Sequence, residues 1–171
     1  HEYISKNEYK TGMKLELLSH WLERKCYNTF QWVSHTNIHR MKLFLGEETS
    51  IKQSITEIFP NFPPKAWRDI CKVNVNTQKP FKFVYVGSLN LNTMYVKEFA
   101  EWILNQNGDA IWDIFSSQTN EETLSYLCNI KSHLINFKGA IPYDQLPFLL
   151  KDYDIGVILY KGHIPNFVYN A

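Results

Sequence analysis

Phe81-Lys82-Phe83-Val84-Tyr85-Val86-Gly87-Ser88 is the stretch on which the reading of this chain turns. Its aromatic and β-branched residues read as a buried strand, and the Gly-Ser pair ends that strand in a turn. A helical pattern follows from Thr93 to Asn105. Met94, Val96, Phe99, Trp102, Ile103 and Leu104 form its apolar stripe, and Asn107-Gly108 closes it. Three more apolar runs come later, at Ala110–Phe115, Leu134–Phe137 and Asp154–Tyr160, with helical patterns at Glu121–Lys131 and Tyr143–Asp152 between them. Asn120 is placed to cap the first of these helices. Such alternation predicts βαβ units and a parallel sheet with helices on both faces. In that class of sheet, ligands bind beyond the carboxyl ends of the strands, where strand order reverses. Gly87-Ser88, Ser116-Ser117, Gly139-Ala140 and Lys161-Gly162 all follow predicted strands, so they are expected to share one functional rim.

Upstream, the pattern is similar but lacks an opening strand. Ser5 to Lys25 reads as an amphipathic helix, Thr29–Val33 as a strand, and Thr36 or Asn37 as the cap of a helix running through Phe44 and ended by Gly46. Ile55–Phe59 is a further strand candidate. This section resembles the tail of an α/β domain. Pro60-Asn61-Phe62-Pro63-Pro64 then interrupts it, since three prolines in five residues forbid a helix or an interior strand and stiffen the connection. A short helix around Trp67 to Cys71 and a polar loop lead to Phe81.

The 171 residues are 44% hydrophobic and 15% aromatic, ample for a packed core. Eighteen basic and seventeen acidic residues leave a formal net charge of +1, so no general attraction to nucleic acid is expected. Cys26, Cys71 and Cys128 are widely spaced with no CxxC pair, which argues against structural zinc and for reduced, mostly buried thiols. No apolar run approaches the roughly 18 residues of a membrane span, and no signal peptide is legible. The sequence opens at His1 and its last strand signal is followed by no helix, so it is read as an internal stretch of a longer, cytoplasmic protein.

The chemistry-bearing candidates are few. The phosphate-loop pattern GxxxxGK[ST], the dinucleotide fingerprint GxGxxG, HExxH and GxSxG are all missing from the sequence. Gly87 could admit a diphosphate to backbone N–H groups, aided by the N-terminus of the next helix, or could be a plain tight turn. His1-Glu2 is the one adjacent His–carboxylate pair, and a carboxylate can orient an imidazole for proton transfer. His35, His39 and Arg40 cluster after a strand, either facing a cleft or lying on a helix surface. The five tryptophans default to core packing. Asp152 and Asp154 read as capping residues.

Five segments, in order, resemble bacterial glycosyltransferases of the GT-B architecture, in the large retaining family (glycosyltransferase family 4-like) that builds capsules, O-antigens and related surface glycans. They are His1-Glu2-Tyr3, Glu57–Pro64, Phe83–Leu89, Ile135–Pro147 and Asp154–Tyr160. The resemblance implies an α/β protein with two Rossmann-like domains, both incomplete here. Residues 1–58 would end the acceptor-side domain, 59–80 would form the Pro-rich linker, and 81–171 would begin the nucleotide-sugar domain. It further implies transfer of a sugar from a nucleotide diphosphate-sugar donor to a hydroxyl of a glycan or lipid-linked acceptor, with no metal and no other cofactor. A lipid-linked acceptor would bring the protein to the inner face of the membrane. His1 and Glu2 would be catalytic. Gly87 and Ser88 would lie beneath the diphosphate, and Phe115, Ser116, Gly139, Ala140 and Ile141 would line the donor pocket. The sequence departs from the family at Asn90, Asn92 and Thr93, where many relatives carry a basic residue, and Lys97 is the next cation. That departure motivates an alternative, a non-catalytic nucleotide-sugar-binding or partner-binding subunit of the same fold. An unrelated flavodoxin-like domain is the third reading.

Overall fold

Four short parallel strands, each followed by polar or glycine-containing turns, build the central sheet. They are β3 (Phe81–Val86), β4 (Ala110–Phe115), β5 (Ile135–Gly139) and β6 (Ile155–Gly156). The computed structural model describes residues 14–47, 55–70 and 78–162. Earlier in the chain come α1 (Lys14–Cys26), a 3-10 turn at Tyr27–Thr29, β1 (Val33–His35), α2 (Ile38–Glu47), β2 (Thr56–Ile58) and α3 (Lys65–Ile70). Between the sheet strands lie α4 (Val96–Leu104), α5 (Glu121–Asn129), a 3-10 turn at Tyr143–Gln145 and α6 (Leu146–Leu150). The described residues up to Phe62 belong to one compact unit and those from Pro63 onward to another.

In the second unit the strand order is β5-β4-β3-β6, all parallel. This is a Rossmann-like α/β sheet, and it is the one sheet of that kind among the described residues. Alternation along the strands sends Phe83, Tyr85, Trp112 and Ile114 to one face. There Phe99 of α4 meets Phe83 and Trp112 edge-on at 5.7 and 4.9 Å between ring centroids. Val96, Ala100, Ile103, Trp112 and Ile114 are fully buried in this core, with Leu127 of α5 against it. Aromatic and aliphatic burial on this scale contributes roughly 1.5–3 kcal/mol per large side chain. The opposite face carries Lys82, Val84, Asp113 and Asn136, and is met by α6 and Tyr153.

Several predicted elements shift, each for a local reason. The helix expected from Thr93 starts at Val96, because the Tyr95 N–H donates to Leu159 O at 2.8 Å and Met94 bridges Tyr160 in antiparallel register. The same contacts cut the strand expected at Asp154–Tyr160 to Ile155–Gly156; past it, Leu159 turns into the core instead of extending the sheet. Asn107 and Gly108, with φ of +52° and +91°, end the turn after α4 as expected. Asn120 caps α5, its side chain accepting from the Thr123 N–H at 3.0 Å.

In the first unit β1 and β2 pair in parallel, His35 opposite Ile58. The strand expected at Thr29–Val33 begins instead at Val33, because the Thr29 hydroxyl donates back to Cys26 O at 2.6 Å and prolongs the helical turn. Gly46 lies inside α2 and does not end it. Of the five tryptophans only Trp112 is buried; Trp21, Trp32 and Trp102 are about half exposed. Cys26 and Cys128 are exposed, contrary to the buried thiols expected, and Cys71 lies outside the described residues.

Candidate functional site

The strand order reverses between β3 and β6: β4 and β5 extend the sheet from one side of β3, and β6 lies on the other. This is the topological switch point, the position where open α/β sheets take ligands at the carboxyl end. Gly87 and Ser88 stand there directly after β3.

Gly87 has φ +152°, and a Cβ on it would come within 3.2 Å of the Tyr85 hydroxyl oxygen. Only glycine fits that combination without strain. The Tyr85 hydroxyl donates to Ser88 O at 2.6 Å, holding the turn from below. Burial, and then the neighbouring Tyr160, push the Tyr85 pKa far above the usual phenol value, so the hydroxyl stays a donor.

Backbone bonds bring most of the predicted donor residues into one rim. The Gly87 N–H donates to Phe115 O at 3.0 Å, and the Ser116 N–H to Gly139 O at 2.8 Å. Ala140 and Ile141 continue directly from Gly139. These N–H groups are therefore engaged with neighbouring strands, and among the described residues none accepts from the Ser88 N–H. The Ser116 side chain is buried and folds onto its own loop, accepting from the Thr119 hydroxyl at 2.8 Å. The N-terminus of α4, expected close behind Gly87, begins only at Val96. His1 and Glu2 lie outside the described residues.

Lys161, expected on this rim because it follows the last predicted strand, is its cation. Lys161 follows the β6 segment, and its backbone N–H donates to Thr93 O at 3.0 Å. Its ammonium donates to Leu91 O at 3.3 Å and lies 5.8 Å from the centre of the Tyr95 ring. An ammonium has three donors, so two remain for a ligand. The signal in the sequence was a lysine immediately after the last strand, on the opposite side of the switch point from Gly87.

Asp154 accepts from the Lys82 N–H at 2.8 Å, tying the start of β6 to β3. Among the described residues no group of three metal-ligating side chains converges, and no helix is long and apolar enough to cross a membrane. Comparisons with protein-family models, curated proteins and solved structures find no match to this chain.

Proposed function

We propose that the protein is a glycosyltransferase of two Rossmann-like domains, moving a sugar from a nucleotide diphosphate-sugar to an acceptor hydroxyl. The observation that carries this reading is the placement of Gly87-Ser88 after β3 and of Lys161 after β6, on the two sides of the switch point of a parallel sheet. When the glycosidic bond to a nucleotide diphosphate breaks, negative charge grows on the departing phosphate. A cation and oriented N–H groups stabilise that charge without a metal. Lys161 and the Ser88 N–H are available donors on this rim. Phe115, Ser116, Gly139, Ala140 and Ile141 would border the base, and His1 with Glu2 would serve the acceptor side. A glycan or lipid-linked acceptor fits the resemblance to surface-glycan enzymes, and the inner membrane face would then be the working place.

A second reading, a subunit that binds a nucleotide-sugar without turnover, is favoured by one observation. The Gly87 and Ser116 N–H groups are engaged within the sheet edge, which leaves few donors for a transition state.

Titration of the full-length protein with UDP, GDP and ADP in the presence of a chelator tests both. Saturable binding of one nucleotide is expected, weakened about tenfold or more in Lys161→Met, since a hydrogen bond to a charged group contributes about 1.5–3 kcal/mol. No binding of any of the three at millimolar concentration overturns the donor site. Binding without sugar release from the matching conjugate selects the second reading.

A further inference from the structure

The first unit contains a cleft with a chemistry of its own. It measures about 250 Å³ and is lined by Ser34, His35, Thr36, Arg40, Phe59 and Asn61. These residues come from the end of β1, the chain just past β2, and the start of α2, so the cleft sits at the carboxyl end of a parallel strand pair. Asn37 caps α2 by accepting from the Arg40 N–H at 2.9 Å, and the first turn of this ten-residue helix borders the cleft. Backbone N–H groups at such a terminus favour an anion.

Arg40 provides the second and stronger observation. The residue is only 9% exposed. Its Nη2 is sealed from solvent with no hydrogen-bond partner. Its Nη1 reaches the Thr36 hydroxyl only at 3.5 Å. No carboxylate among the described residues pairs with it. Glu57, opposite Ser34 in register, is turned toward Trp32 and accepts from its indole N–H at 3.0 Å. A guanidinium is always charged, and burying one without a counter-charge is strongly unfavourable. Hydroxyl and amide donors on Ser34, Thr36 and Asn61 surround the same space. His35 beside it is held toward its neutral form by burial, then by the Arg40 charge.

We propose that this cleft is an oxyanion-binding site, with Arg40 as its cation, for the phosphate or carboxylate group of a small molecule. The site stands independently of the sugar-transfer reading. Its occupant supplies the charge that Arg40 lacks, and the hydroxyl and amide groups orient it.

The test is a titration of the full-length protein by amide chemical shift. Inorganic phosphate is one arm and acetate the other, each against chloride at equal ionic strength. Saturable shifts in the millimolar range, confined to residues 34–41 and 59–61, are expected with at least one of them. Response to phosphate alone assigns a phosphorylated ligand; response to acetate assigns a carboxylate. Arg40→Met should fold, because it removes an uncompensated buried charge and keeps the volume, and should lose the response at least tenfold. Should Arg40→Met fail to fold, Thr36→Val decides, with a several-fold loss of affinity expected. Absence of a saturable response to either anion in the unaltered protein, or an unchanged response in a folded variant, overturns the proposal.

Discussion

At the scale of single residues, Gly87 shows how local geometry and packing combine. Its backbone lies where L side chains are strained, at a cost of order 1–3 kcal/mol, and a Cβ there would crowd the Tyr85 hydroxyl at 3.2 Å. Gly87→Ala is therefore expected to destabilise the second unit by about 2 kcal/mol in urea unfolding; a loss below a few tenths would show that the turn relaxes freely. His35 belongs to the same scale. Its folded pKa is lowered from the usual histidine value, by burial first and the Arg40 charge second. The unfolded chain thus binds more protons than the folded one between the two pKa values. Stability is full above the unfolded value, near 6.5, and falls as pH drops through that window. His35→Phe should flatten this acid dependence, measured by unfolding midpoints at successive pH values. An unchanged slope would assign the dependence to another group.

Among the elements, the polar face of the sheet makes a prediction of its own. Asp113 on β4 accepts from Asn136 of β5 at 2.8 Å and from the Tyr153 hydroxyl at 2.7 Å. Tyr153 follows α6, so this network pins that short helix segment to the strands. Burial first, then the bond to Asp113, raise the Tyr153 pKa. The stability this contributes is present below the ordinary phenol value near 10 and is lost as pH rises through the folded one. Tyr153→Phe should cost about 1–2 kcal/mol, the range for a hydrogen bond to a partly exposed charged group. A change near zero would mean that water replaces the hydroxyl at no cost.

For the whole molecule, the sheet order matters more than any single motif. A β5-β4-β3-β6 sheet has one place where neighbouring connections leave in opposite directions, and sheets of this class bind ligands in a crevice there. Gly87-Ser88 and Lys161 are 74 positions apart in number and reach that place only because β6 pairs with β3. The nucleotide titration with Lys161→Met is the experiment at this scale, since it asks whether both sides of the crevice hold one ligand.

Much of the fold was legible because burial writes a period into the sequence. Phe81–Val86 and Ala110–Phe115 are strands as read, and the Asn120 cap and the Asn107-Gly108 stop follow from local chemistry that any context preserves. Misread features depend on partners distant in sequence. The start of α4 and the end of β6 are set by each other through Tyr95 and Leu159, and neither run betrays the other. Exposure of Trp21, Trp32 and Trp102 is likewise a matter of which faces find neighbours. The candidate rim divides in the same way. Gly87 was visible as a glycine after a strand, a local signal. Lys161 was legible as a lysine after the last strand, and His35 and Arg40 as a cluster after another; which of them stands beside Gly87, and that Arg40 is buried without a counter-charge, came only from tertiary structure, because no local propensity encodes which strands pair.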